Sequence, residues 1–404
     1  MYRHEYQLPY SGSNQPPQNN HDAPAMADIW DGSIYKSLCN RHIKINGHDL
    51  HQKYFADPHD IALGLTTDGF APWRRRKYTA WPILLVNYNL PPEIRNHQKN
   101  MIAVSVIPGP KKPKDINSFL YPLIEELLTL ANGVRAYDAN MEELFCLRAF
   151  LMVAFGDIPA VSLLLKMKGH NVIVPCCICN IQGLRIPDSD AKIHYIPLDH
   201  LQHPKRGSIS AYDPYKLPAR TQMEFASNAQ EVITAKTHAE EKRLGMKYGI
   251  KGRTILMSLK SLSFPFSFPY DFMHLLYENV LKNLILLWTN NYKDINVGTG
   301  NYVIDATVWD ANGVATALAC DTIPSVYSAR MGSVAQDNST FTADNYSFWA
   351  LYIGPVLLQR KFKEARYYDH FVQLIHICLK FEYTASDIRS IQDGFINWVV
   401  AYER

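Results

Sequence analysis

Ile61-Ala62-Leu63-Gly64-Leu65-Thr66-Thr67-Asp68-Gly69-Phe70 is a short apolar run that stops at an acid followed by glycine. Its length suits a buried strand, and the Asp-Gly pair marks where a strand ends and the chain turns. Asp68 therefore stands at an expected strand tip, where a rigid sheet can hold a carboxylate toward a metal or a substrate. Asp-Gly is also an ordinary turn pair. Its meaning depends on what accompanies it further along the chain.

At 404 residues the chain is long for one ordinary domain and points to two, or to one enlarged by an insertion. Apolar residues make up 47% and aromatic residues 12%, enough to bury a sizeable core. Lys+Arg 41 against Asp+Glu 38 leaves a formal net charge of +3. Nucleic-acid binding would then rest on local patches, not on bulk charge. The seven cysteines are few, odd in number and mostly scattered. No signal peptide opens the chain and no apolar run reaches membrane-spanning length, so the expectation is a reduced, intracellular, soluble protein with no membrane partner.

Residues 1–25 are polar and turn-rich and read as disordered, and 26–60 as a lead-in with weak helical signals. After the strand before Asp68 comes Arg74-Arg75-Arg76-Lys77, four cations that suit phosphate contacts, an import signal or a solvated loop. Further strands are expected over 81–88, with Pro82 near its start, and over 101–107, closed by Pro108-Gly109-Pro110. Short breaks between these strands predict an antiparallel meander. Residues 118–132 carry a helical period and end at Gly133. Residues 144–156 are largely apolar, with a strand expected over the last six before Gly156. They lead to Gly156-Asp157-Ile158-Pro159, a second acid beside glycine at the end of a buried segment, and Pro159 suits the first turn of a helix over 160–168.

Cys176 and Cys179 form a Cys-x-x-Cys pair, the spacing with which a tight turn clamps one zinc ion between two thiolates. No second pair completes the site, and His170, His194, His200, His203 and His238 are all possible partners; three ordinary loop cysteines are the plain alternative. Residues 180–265 are rich in Pro, His, Lys and Tyr, show no sustained long helix and read as an insertion. Pro269 and Asp271 then open a helix of about five turns. Asp271, His274 and Glu278 are spaced i, i+3, i+7 and share one face of it. Polar groups on a greasy helix need partners, and a metal would satisfy them. The alternative is an Asp271 N-cap with Glu278 pairing to Lys282. Taken together, Asp68, Asp157 and Glu278 can converge over one sheet edge and hold two Mg²⁺ (or Mn²⁺) ions about 4 Å apart, the arrangement that phosphodiester cleavage needs.

The same residues carry a family resemblance. The run 61–70, Asn87-Tyr88-Asn89-Leu90-Pro91-Pro92, Ile107-Pro108-Gly109-Pro110, Phe155-Gly156-Asp157-Ile158-Pro159, Lys168-Gly169-His170-Asn171, Cys176 and Cys179, and Tyr270-Asp271-Phe272-Met273-His274 resemble fungal transposases of the CACTA (En/Spm) group, TnpD-type. The resemblance covers residues 26–404. It implies an α/β fold with an RNase H-like DDE core, a mixed sheet with flanking helices, over 61–290. It also implies a zinc-binding Cys-x-x-Cys insertion at about 169–268 and a helical region over 291–404. Asp68 matches the first acid, Asp157 the second, and Glu278 is the candidate for the third. His274 then supports the metal or zinc side. Two Mg²⁺ or Mn²⁺ ions, a structural Zn²⁺, double-stranded DNA as partner, a homo-oligomer and nuclear action are implied with it. Longer relatives imply that this chain is a core fragment or a decayed copy.

Beyond residue 290 the aromatic-rich helical stretches at 338–360 and 367–404 read as core, with Phe348, Trp349, Leu351, Tyr352, Val356, Leu357 and Trp398 packed inside. Three functions compete: a DNA-cleaving and strand-joining transposase, a non-catalytic zinc-stabilised remnant that binds DNA or protein, and an unrelated Mg²⁺-dependent nuclease on the same fold.

Overall fold

The computed structural model describes residues 26–45, 47–71, 79–169, 172–185, 194–195, 198, 211–292, 300–324, 330–337, 340–377 and 383–403. The polar N-terminus 1–25, the run Arg74-Arg75-Arg76-Lys77, and His170, His200 and His203 lie outside the described residues, as does the side chain of His194. Described residues up to Tyr270 form one compact unit, and those from Asp271 onward form another.

The first unit opens with helix α1 (Ser33–Cys39) and the hairpin β1 (His42–Ile45) and β2 (His48–Lys53). Its main sheet takes β3 (Ile61–Thr67), β4 (Ala80–Asn87) and β5 (Ile102–Pro108). Helix α2 (Ile116–Asn132) and the hairpin β6 (Val134–Asp138) and β7 (Glu143–Leu147) follow, and then β8 (Ala149–Phe155). Strand order is β5-β4-β3-β8. The first three strands form the expected antiparallel meander, and β8 joins β3 in parallel. The fold class is therefore α/β with a mixed sheet.

Period-two alternation divides the sheet between two cores. Leu63, Leu65, Ile83, Leu85 and Leu151 pack with Ile116, Leu120, Leu123, Ile124 and Leu127 of α2. Ala62, Phe150 and Met152 face the other way, onto Trp30, Tyr35, Leu38, Ile43, Tyr54 and Phe55. A sheet covered on both faces needs nearly continuous apolar strands, and β3 and β8 are buried along almost their whole length. Each buried Leu, Ile or Phe contributes roughly 1.5–3 kcal/mol relative to exposure.

Residues 26–60 are thus a covering layer of the sheet. They are pinned by a bidentate pair in which Arg95 donates to both Asp28 oxygens at 2.6 Å, with Arg95 itself buried. The layer's elements are short and its helical signals weak, so its role is not visible locally. The apolar stretch 144–156 also divides: β7 turns away into an exposed hairpin, and the strand expected over the last six residues is β8.

After β8 comes α3 (Ile158–Leu164), followed by α4 (Gln222–Ile233) and α5 (His238–Tyr248). The stretch 180–265, expected to hold no sustained long helix, carries α4 and α5, helices of 12 and 11 residues. Each begins at a threonine, Thr221 and Thr237, whose side chain accepts a backbone N–H of the first turn. Phe225 and Ala229 of α4 share a core with α2, along with Ile250, Leu256, Phe264 and Phe268.

The second unit is helical. Helix α6 is wound as a π-helix over Met273–Leu281 and continues as an α-helix over Lys282–Trp288. Helix α7 (Ala306–Ala319) follows, then α8, which runs from Ala343–Phe348 through a π-helical turn, Trp349–Ile353, to Gly354–Leu357. Helices α9 (Ala365–Ile377) and α10 (Ala385–Glu403) complete it. Leu276, Tyr277, Leu284, Ile285 and Trp288 of α6 pack in one cluster with Trp349, Phe371 and Trp398. The second unit begins at Asp271, and α6 packs into that cluster. Among the described residues no helix is long and apolar enough to cross a membrane.

Candidate functional site

The parallel pairing of β3 with β8 decides how the first two acids meet. It runs Leu65↔Ala154 and Thr66↔Phe155, so Asp68 and Asp157, each two residues further on, stand opposite one another at the same end of adjacent strands. Strands in a sheet lie about 4.8 Å apart. The close approach continues past the paired residues: a Cβ on Gly156 would sit 3.0 Å from the carbonyl oxygen of Thr67 and 3.0 Å from the Ala160 side chain. Glycine permits that proximity, and a larger residue would have to be accommodated by small shifts of Thr67 or Ala160.

Both carboxylates are held by backbone. Oδ1 of Asp68 accepts the Gly69 N–H at 2.6 Å, and Asp68 is exposed at the strand tip. Half-buried Asp157 is the N-cap of α3, its Oδ1 accepting the Ala160 N–H at 2.6 Å. The hydroxyl of Thr67, one residue before Asp68, is buried without a hydrogen-bond partner. Two carboxylates at adjacent strand ends are hard oxygen donors and fit a divalent cation such as Mg²⁺.

On its other side β8 is flanked by the segment ending at Tyr270. Ala154 N–H donates to the Ser267 carbonyl at 2.8 Å, and Gly156 forms a parallel bridge with Tyr270. Asp271 is the next residue in the chain. In the second unit, Asp271 Oδ2 and His274 Nδ1 are 2.6 Å apart, both half-buried, and Asp271 Oδ1 accepts the Met273 N–H. Half-buried Glu278 lies on the π-helical part of α6. The phenol of Tyr346 is pushed up to about 12, chiefly by burial and secondarily by the charge of Glu278. Asp68 and Asp157 thus follow the same end of two paired strands in one unit, and Asp271 pairs with His274 in the other.

Cys176 and Cys179 also meet. The Cys176 sulfur accepts the N–H groups of Ile178 and Cys179, each at 3.4 Å, as in a tight thiolate-holding turn. A hydrogen bond from the Cys179 thiol is the main influence holding the Cys176 thiol down to about 6, against the opposing effect of burial; Cys179 is raised by the same pairing. The intervening Cys177 is fully buried and pushed up to about 11 by desolvation. Two neighbouring thiols fit half of a zinc site. Among the described residues no group of three or more His, Cys, Asp or Glu is placed to hold a metal. His238 is exposed on α5 and faces Glu241.

Sequence reasoning missed Arg220. Its side chain is buried, donating from Nε to the Cys176 carbonyl and from one terminal nitrogen to the Tyr248 carbonyl, both at 3.0 Å. Tyr270 adds a second tie, its hydroxyl accepting the Cys177 N–H at 3.3 Å. Nothing local marks either residue, because their partners lie tens of residues away. Arg220→Ala removes the side-chain donor from two part-buried carbonyls, each loss costing up to roughly 1–3 kcal/mol. The expected result is local opening of the loop, read as alkylation of Cys177 by mass spectrometry in the variant but not in the parent.

No curated protein matches the sequence. Residues 42–211, under half of the chain, match the family model described as Transposase family tnp2. That span holds Asp68, Asp157, Cys176 and Cys179 and ends before Arg220, Asp271 and Glu278. The match supports a transposase family for this chain.

Proposed function

We propose that the chain is the catalytic core of a cut-and-paste DNA transposase of the CACTA (En/Spm) group, fungal and TnpD-type, acting in the nucleus as a homo-oligomer. It cleaves phosphodiester bonds at transposon ends and joins the freed strand to target DNA. The observation that carries this reading is the parallel register of β3 with β8, strands that end just before Asp68 and Asp157 at one sheet edge. A mixed sheet with a parallel pair ending in two acids is what an RNase H-like DDE core requires.

Asp68, Asp157 and a third acid, assigned to Glu278, would hold two Mg²⁺ or Mn²⁺ ions. When bound, such ions supply an activated nucleophile and charge neutralisation at the leaving oxygen. The chain's own contribution is positional. Gly69 and Ala160 N–H groups fix one oxygen of each aspartate, and the sheet keeps the two side chains from drifting apart. Carboxylate oxygens following both strand ends suit capture of a hard cation. His274 would orient Asp271 and act on the site through it, not as a base. Cys176 and Cys179 would hold a structural Zn²⁺ that ties the insertion to the core.

The test is cleavage of a duplex bearing the terminal inverted repeats that flank the coding sequence, with Mg²⁺ or Mn²⁺ added to purified protein. Nicking at the repeat ends that disappears in EDTA is the expected result. Metal-independent cutting, or none with intact folded protein, sinks the catalytic reading. The second reading, a non-catalytic remnant, is favoured by one fact: Asp157 already has a structural task as the N-cap of α3. It predicts binding to the same duplex without cleavage. For zinc, protein purified under reducing conditions should carry about one ion per chain, and Cys176→Ser should lose it. Metal analysis finding no zinc in the parent removes the zinc role.

A further inference from the structure

Three segments far apart in sequence meet in the first unit, and nearly all their charges have one sign. Residues 111–117 follow β5, residues 166–168 follow α3, and residues 249–255 follow α5. Lys166 Nζ lies 2.9 Å from Asp115 Oδ1, which joins the first segment to the second. The Asn117 side chain donates to the Arg253 carbonyl and accepts the Ile255 N–H, both at 3.0 Å, which joins the first to the third. Met167 and Ile250 form an antiparallel bridge, with Lys251 N–H donating to the Lys166 carbonyl at 2.6 Å and Lys168 N–H to the Gly249 carbonyl at 2.9 Å.

Alternation then sorts the side chains. Met167 and Ile250 are buried, and their neighbours Lys166, Lys168 and Lys251 emerge on the opposite side. Lys111, Lys112, Lys114, Lys251 and Arg253 are exposed. The ammonium of Lys251 is disfavoured first by burial and then by Lys112, Lys168 and Lys166, which places those three cations around it. Together the three segments hold seven cations and one acid, Asp115, in a chain whose formal net charge is only +3. A local excess of one sign of this kind attracts a polyanion.

The patch also has a defined place. The register runs Phe70↔Ala80 and Ala80↔Pro108, so β5 delivers residues 109–112 to the same sheet end as Asp68 and Asp157. We propose that Lys111, Lys112, Lys114, Lys168, Lys251 and Arg253 form a track for the phosphate backbone of duplex DNA leading to the carboxylate edge. The proposal rests on the transposase reading and names the surface through which it holds DNA. An anionic membrane is the less suited partner. Interfacial binding buries apolar side chains, whereas Pro113, Ile116, Met167 and Ile250 of these segments all point inward.

The test uses the full chain in EDTA, so that binding is separated from cleavage. Binding to a fluorescent duplex without transposon ends is measured from 50 to 200 mM salt. Two variants, Lys111→Gln/Lys112→Gln/Lys114→Gln and Lys168→Gln/Lys251→Gln, change mostly exposed side chains. Each lost phosphate contact should lower the slope of log affinity against log salt by about 0.9, so the triple variant should lose up to about 2.7. Lys36→Gln/Lys53→Gln, exposed and on other segments, should keep the parent slope. Parent slopes in both patch variants, with circular dichroism unchanged, overturn the proposal. So does loss of binding to phosphatidylserine vesicles with duplex binding intact. Asp157→Asn should bind with the parent slope. A patch effect in a protein that never cleaves would leave the track standing and remove the catalytic reading. Cleavage with no patch effect would do the reverse.

Discussion

Asp157→Asn is expected to reduce metal-dependent strand cleavage by roughly 10²-fold or more, the size of effect seen when one preorganised charge-stabilising group is removed from an active site. The substitution suits the position because Asp157 has two tasks. As N-cap of α3 it accepts the Ala160 N–H, and asparagine caps a helix about as well as aspartate. Fold and cap therefore survive while the charge is lost. Asp157→Ala, by contrast, removes the cap as well and should cost about 1 kcal/mol of stability. Melting temperature and cleavage rate, measured for parent, Asn and Ala forms, separate the two tasks. Asp68→Asn should match Asp157→Asn in activity with little effect on stability, since Asp68 is exposed and its bond to Gly69 is local. Parent-like cleavage by Asp157→Asn would reduce this carboxylate to its cap.

Glu278→Gln is expected to abolish cleavage to a similar extent, with duplex binding and melting close to the parent. Half-buried Glu278 lies near the phenol of Tyr346, which stays neutral, so replacing the carboxylate by an amide of the same shape should not unfold the helical unit. Asp271→Asn is the companion. Asparagine keeps an acceptor for the Met273 N–H but ends the charge pairing with His274 Nδ1. If Glu278 is the third acid, Asp271→Asn should keep more cleavage than Glu278→Gln, losing at most about 10–100-fold, the range for altering a group that orients a neighbour. The opposite pattern, an inactive Asp271→Asn beside an active Glu278→Gln, reassigns the third acid to Asp271. That residue follows by one peptide bond the Tyr270 that bridges Gly156.

Much of this protein is written locally. Strand β3 and its terminal Asp-Gly, the meander, helix α2 with its Gly133 stop and the Pro159 start of α3 all follow from period and turn chemistry, which act over a few residues. The acids at 68 and 157 and the Cys-x-x-Cys spacing were legible for the same reason. Pairing register was not. Nothing in 61–70 specifies Thr66↔Phe155, because it is set by how two buried strands share the α2 core and the layer built from Trp30, Tyr35 and Phe55. Arg220 beneath the cysteine loop and the gathering of Lys112, Lys166 and Lys168 around Lys251 were hidden likewise. Sequence alone determined which residues could carry chemistry. Tertiary structure decided which of them are neighbours, since burial and charge act through space between segments that no local period connects.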